Sequence, residues 1–106
     1  MKAQTVFIYC YDSGTKRNYA QATKGYIIKS SKTAESFIAV KTGYSFRISH
    51  KETGCFIGIE KQTLKEAVKT LYDQIEDLTA MICRMSESES FRKAELMIAE
   101  AYSAQV

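Results

Sequence analysis

The sequence predicts an α+β domain: a small, mostly antiparallel sheet of about five strands, followed by a long helix and a second C-terminal helix. Three observations carry that expectation. Residues 5–60 hold short β-branched and aromatic runs separated by Gly, Ser, Asp and Asn, the pattern of strands and turns. Leu64, Val68, Leu71, Ile75, Leu78, Ile82 and Met85 then recur in alternating steps of four and three, which keeps apolar side chains on one helix face. The charge also changes sign along the chain, with ten Lys or Arg against four Asp or Glu in residues 1–61 and five against eight in residues 62–106. At 106 residues the chain fits one domain, with a basic sheet region (1–61) and an acidic two-helix region (62–106).

Thr5–Tyr11 is the first expected strand, apolar on both sides: Val6, Ile8 and Cys10 alternate with Phe7, Tyr9 and Tyr11. Asp12-Ser13-Gly14 stops it. Residues 12–25 show no period and read as a long loop carrying Lys16, Arg17, Asn18, Tyr19 and Lys24. Ser13-Gly14-Thr15-Lys16-Arg17 has the composition of a phosphate-contacting loop without the spacing of a P-loop. Gly25–Lys29 and Ser36–Lys41 follow as strands. Tyr44–Ser49 alternates strictly, with Tyr44, Phe46 and Ile48 on one face and Ser45, Arg47 and Ser49 on the other. Lys51-Glu52-Thr53-Gly54 makes a turn with a left-handed glycine, and Cys55–Glu60 returns as the fifth strand. With no proline in the chain, the turns rest on Gly14, Gly25, Gly43, Gly54 and Gly58 together with Asp, Asn and Ser.

Thr63-Leu64-Lys65-Glu66 fits a capping box that opens the long helix, expected over Thr63–Met85. Ser86 with Glu89 can cap the next helix, whose stripe is Phe91, Ala94, Ile98 and Ala101, joined by Met97 and Tyr102. A straight helix of that length spans ~35 Å, longer than strands of six residues need. Its seam is therefore expected to overhang the sheet, and Leu71, Ile75, Leu78 and Ile82 to form a homodimer or partner interface.

The N-terminal apolar run is too short for a signal-peptide core or a membrane span, so a cytoplasmic protein without membrane contact is expected. Cys10, Cys55 and Cys83 are odd in number and widely spaced, which argues for a reducing compartment and for small buried hydrophobes rather than disulfides. His50, the only histidine, stands near Glu52 and Cys55, and it is expected to be structural or exposed rather than part of a catalytic Cys–His pair. One histidine and three scattered cysteines lack metal-ligand spacing, and Glu76 and Asp77 read as solvated. Neither an enzymatic activity nor a cofactor nor a metal is expected.

Nine of the twelve aromatic residues lie before residue 57, interleaved with Lys16, Arg17, Lys24, Lys29, Lys41, Arg47 and Lys51. Rings on a sheet stack bases and the surrounding cations neutralise phosphates, so such a surface suits a nucleic-acid strand or a nucleotide-like ligand. The expected contact residues are Lys16, Arg17, Lys24, Arg47, Tyr9 and Tyr11. The alternative is an accessory or inhibitor protein that docks on a larger protein by its helical face or a sheet edge. Residues 43–78 bear on that alternative. Gly54-Cys55-Phe56 on a strand leading to Thr63-Leu64-Lys65-Glu66-Ala67 on a helix resembles the strand-to-helix segment of HicB-type antitoxins, although the spacing is longer here. The strand–turn–strand–helix order ending in Leu-Lys-Glu-Ala is also similar to the arm-binding domains of phage integrases. Both likenesses cover about a third of the chain, and the accessory protein expected under the docking alternative is of the phage or mobile-element type.

Overall fold

A computed structural model describes residues 2–105. Five antiparallel strands follow one another as a meander: β1 (Gln4–Asp12), β2 (Arg17–Lys29), β3 (Ser36–Thr42), β4 (Ser45–His50) and β5 (Phe56–Lys61). Three helices complete the chain: α1 (Leu64–Asp73), α2 (Ile75–Met85) and α3 (Glu89–Ser103). Among the described residues no helix is long and apolar enough to cross a membrane.

The expected loop over residues 12–25 is instead strand. β1 pairs with the first part of β2 in nine rungs, from Gln4↔Gly25 to Asp12↔Arg17, leaving only a four-residue turn. Asp12 closes that turn by accepting the Gly14 N–H at 2.9 Å and the Thr15 hydroxyl at 3.2 Å, while Lys16 takes a left-handed φ of 56°. The polar sequence hid this strand because residues 11–19 are exposed on both faces, so no apolar alternation marks them. Beyond Gly25, β2 changes partner and pairs with β3 as far as Lys29↔Ser36.

Gly25 is where the sheet turns in on itself. A Cβ there would lie 2.8 Å from Val6 Cγ2 and 2.9 Å from the Ala39 carbonyl oxygen, so only glycine permits the close passage. The β1–β2 ribbon curls over the outer sheet face, burying Val6 with Ile38 and Val40 and packing Ile8 and Ile27 against them. Tyr9 N–H then bonds the Gly54 carbonyl at 2.9 Å, joining the first strand to the β4–β5 turn. Gly25 and Gly58 therefore lie inside strands rather than at turns; Gly58 sits within the irregular β4–β5 register, with φ 92°.

The inner face carries the main core. Ile28, Phe37, Ala39, Ile48 and Ile59 from the sheet pack against Ala67, Leu71, Ile75, Leu78, Ile82 and Phe91 from the helices. Thr63 caps α1 as expected, its hydroxyl oxygen accepting the Glu66 N–H at 3.1 Å. The expected long helix, however, breaks at Gln74, whose N–H is shared between the carbonyls of Thr70 and Leu71. Thr70 donates its hydroxyl to the Glu66 carbonyl one turn earlier, a back-bond that bends helices. The break lets both segments keep their apolar stripe on a curved sheet. Leu71, Ile75, Leu78 and Ile82 are consequently buried in this chain's own core, and the expected overhanging interface does not form from them. The α3 cap also differs from expectation: Ser88, not Ser86, accepts the Phe91 N–H, while Ser86 ends α2.

α3 covers the free edge of β1. The Tyr102 hydroxyl accepts the buried Phe7 N–H at 3.2 Å, and the two rings meet edge to face with centroids 4.9 Å apart. Burial holds the Tyr102 phenol above its ordinary 10.0, against the lowering effect of the Phe7 N–H bond and with a smaller contribution from the Glu52 charge. The folded chain thus keeps this proton to higher pH than the unfolded one. The associated stability is whole below pH 10.0 and is lost as pH rises through the folded value. In Tyr102→Phe that alkaline loss should shrink, and the orphaned Phe7 N–H should cost about 1 kcal/mol at neutral pH. Urea unfolding of both proteins at neutral and alkaline pH checks this, and an unchanged alkaline slope would count against it.

Candidate functional site

The basic residues expected to act together do not share one surface. In the β1–β2 ribbon Tyr9, Tyr11 and Lys24 project to one side, whereas Arg17 projects to the other. Seven rungs separate the Arg17 and Lys24 positions, about 23 Å along the strand. Tyr9 is half-buried beneath α3, but Tyr11 is 61% exposed. Lys16 and Arg17 occupy the ribbon tip, within the run from Tyr11 to Tyr19 in which every residue is exposed. Tyr19 faces Cys10 across the ribbon, and electrostatic repulsion from Cys10, more than burial, holds its phenol above the ordinary 10.0.

Arg47 belongs to a different surface. Its guanidinium carbon lies 3.9 Å from the Phe56 ring centroid, and its Nε lies 3.9 Å from Glu60 Oε1. Glu60 in turn accepts a hydrogen bond from the Ser45 hydroxyl. These local partners hold Arg47 on the outer face of β4 and β5, apart from the ribbon tip. The aromatic rings of the inner face are likewise unavailable for stacking: Phe37 is in the core, and Tyr26 and Phe46 pack against it.

Residues 2–29 nevertheless form one cationic element. Lys2, Lys16, Arg17, Lys24 and Lys29 are all exposed, against a single acid, Asp12. The ion pairs among the described residues join Arg47 to Glu60, His50 to Glu35 and Glu52, and Lys93 to Glu89, and none of them takes a ribbon cation.

A second constellation gathers around His50, which is only 2% exposed. It ends β4 opposite Phe37, and its ring sits between Phe37 and Phe91 with centroids 6.1 and 5.8 Å away. Backbone bonds fix it further, from His50 N–H to the Cys55 carbonyl at 2.8 Å and from Gly54 N–H to the His50 carbonyl at 2.7 Å. His50 Nδ1 is 2.9 Å from the buried Thr53 hydroxyl, and Nε2 is 2.6 Å from Glu35 Oε2 and 3.4 Å from Glu52 Oε2. With Thr53 and Glu35 on its two nitrogens, the imidazole has none left for a Cys55 thiol, which points to the Thr53 carbonyl instead. Glu35 escaped the sequence reading because it lies 15 residues before His50, in the β2–β3 connection. That connection is anchored by the Thr33 hydroxyl, which accepts the Glu35 N–H and the Thr79 hydroxyl proton from α2.

An apolar cleft of about 160 Å³ opens beside His50, between the β4–β5 turn and the α2–α3 junction, with Tyr9, Cys55, Met85 and Phe91 among its walls. Cys10 and Cys55 are half-buried and Cys83 is exposed, so the cysteines are not the fully buried hydrophobes expected. No family of known proteins, no curated protein and no solved structure matches this chain.

Proposed function

We propose that the protein is a nucleic-acid-binding module that lays its cationic β1–β2 ribbon along a duplex groove. The observation that carries this reading is the ribbon itself: three exposed cations, Lys16, Arg17 and Lys24, against the one acid Asp12, none of those cations in an ion pair, on a two-stranded element with an exposed tip. A two-stranded ribbon fits the major groove of B-form DNA, ~12 Å wide. Lys16, Arg17 and Lys24 contact phosphates, and Tyr11 and Tyr19 offer flat apolar surface beside them. Burial of the inner-face aromatics favours a duplex over a base-stacked single strand.

Fluorescence anisotropy of a labelled duplex and a labelled single strand at low and physiological salt tests the reading. Three phosphate contacts give a slope of log K against log salt of about −2.7, hence roughly 40-fold weaker duplex binding between 50 and 200 mM salt. Lys16→Ala with Arg17→Ala should lower that slope by about two and leave Tm unchanged, since both side chains are exposed. Duplex binding that ignores salt, or that survives the double substitution unaltered, would overturn the proposal. In that event the protein-docking alternative moves to Leu96, 62% exposed on α3 beside Tyr9 and Met97.

A further inference from the structure

The geometry points to a divalent transition-metal site of the zinc class formed by Glu35, His50 and Glu52, at the end of the β3–β4 hairpin. Each offers one ligand atom, and the three atoms lie within 4.8 Å of one another. A single proton does not satisfy this arrangement. His50 Nε2 carries at most one hydrogen, yet it faces both Glu35 Oε2 at 2.6 Å and Glu52 Oε2 at 3.4 Å. The short contact takes that hydrogen. Glu52 Oε2 is left as a buried anionic oxygen with no hydrogen-bond partner, an arrangement proteins rarely tolerate. A divalent cation in place of the proton engages all three atoms at once, and its charge cancels that of the two carboxylates.

The donor set selects the ion class. Imidazole nitrogen with two carboxylate oxygens suits zinc and its neighbours, whereas calcium and magnesium favour oxygen alone. Bonds of ~2.0–2.2 Å in a tetrahedron set ligand atoms ~3.4 Å apart, so Glu35 must withdraw by under ~1 Å. Its side chain is 31% exposed and that of Glu52 37%, which leaves room for the shift and a solvent-facing position for a water ligand. The buried side is already prepared. Metal on Nε2 requires the hydrogen on Nδ1, which then donates to the Thr53 hydroxyl 2.9 Å away, the outer partner that orients a ligating histidine. The backbone bonds and the flanking Phe37 and Phe91 rings fix the imidazole plane. The bound ion would tie the β2–β3 connection to the β4–β5 turn, far in sequence from the ribbon tip, so the site stands independently of nucleic-acid binding.

The test uses the full chain stripped with chelator and titrated with Co²⁺ and Zn²⁺, read by visible absorption and Tm. The expected results are a four-coordinate Co²⁺ spectrum that Zn²⁺ displaces, and a Tm that rises with Zn²⁺. Glu52→Gln, which keeps the size and hydrogen-bonding capacity of a half-buried side chain, should weaken both responses at least about tenfold, and Thr53→Val should weaken them about 10- to 100-fold with every ligand in place. The metal-free Tm of each variant shows that it is folded. An unchanged Tm and a featureless spectrum with metal in excess would overturn the site and leave the imidazole hydrogen-bonded to Glu35 and Thr53 alone. Wild-type affinity in Glu52→Gln would also overturn it, placing the metal on other donors such as the cysteines.

Discussion

Leu71→Ala should destabilise the protein by about 3 kcal/mol, because it removes a side chain that is 0% exposed from the centre of the inner-face core. Leu71 packs with Ala67 and Ile75 of the helices and with the Phe37, Ile48 and Ile59 face of the sheet, a site that cannot collapse without moving the sheet. Leu96→Ala, on the exposed side of α3, should stay within about 0.5 kcal/mol. Equilibrium urea unfolding measures both. The pair also decides how the heptad-like seam is used. If the seam is core, the loss is the same at every protein concentration; if it were an interface between copies, the loss would shrink on dilution as the dimer separates.

The second large effect is expected at Gly54. Its φ of +67° lies in the left-handed region, and an added Cβ would meet Tyr9 N at 2.7 Å, Ile98 Cδ1 at 2.9 Å and Ile8 C at 3.0 Å. Two of those atoms are backbone, so the β4–β5 turn and β1 must part. Gly54→Ala should therefore cost about 3 kcal/mol, of which the left-handed conformation accounts for ~1–2 and the forced separation for the rest. Gly43→Ala isolates the first part: φ is +61°, nothing lies within 4 Å, and about 1 kcal/mol is expected. Equal losses at the two glycines would show that the contact between β1 and the turn contributes little. Hydrogen exchange at the Tyr9 amide, which bonds the Gly54 carbonyl, should quicken in Gly54→Ala alone.

The candidate sites were legible to different degrees, and the differences have physical causes. Lys16 and Arg17 were visible as a basic pair, but their place at the tip of a ribbon was not, since exposed strand residues carry no apolar period. Arg47 was visible as a cation on a strand; Glu60 is its direct partner in the β4–β5 register, whereas Phe56 comes beside it through the register shift after Ile48. The Glu35–His50–Glu52 group held a signal that went unused. Every β3–β4 rung, from Thr42↔Ser45 to Phe37↔His50, is symmetric about the turn at Gly43 and Tyr44. Extending that register by two positions sets Glu35 opposite Glu52, beside His50. A hairpin centre in the sequence therefore contains the long-range contact, provided the strands are carried past their apolar residues.

The sequence alone determined what local interactions decide. Alternation in Tyr44–Ser49, the glycine turns at Gly43 and Gly54, and the Thr63 cap each act within a few residues, so strands, hairpin and helix start follow from side-chain period and backbone hydrogen bonding. Only the tertiary structure decided what covers each apolar face. The seam from Leu71 to Ile82 could meet a sheet or another copy, and the aliphatic side of β1 could face a helix or its own sheet, because burial rewards any apolar cover equally. The curl at Gly25 brings Val6 onto Ile38 and Val40, and the break at Gln74 keeps α1 and α2 on the inner face.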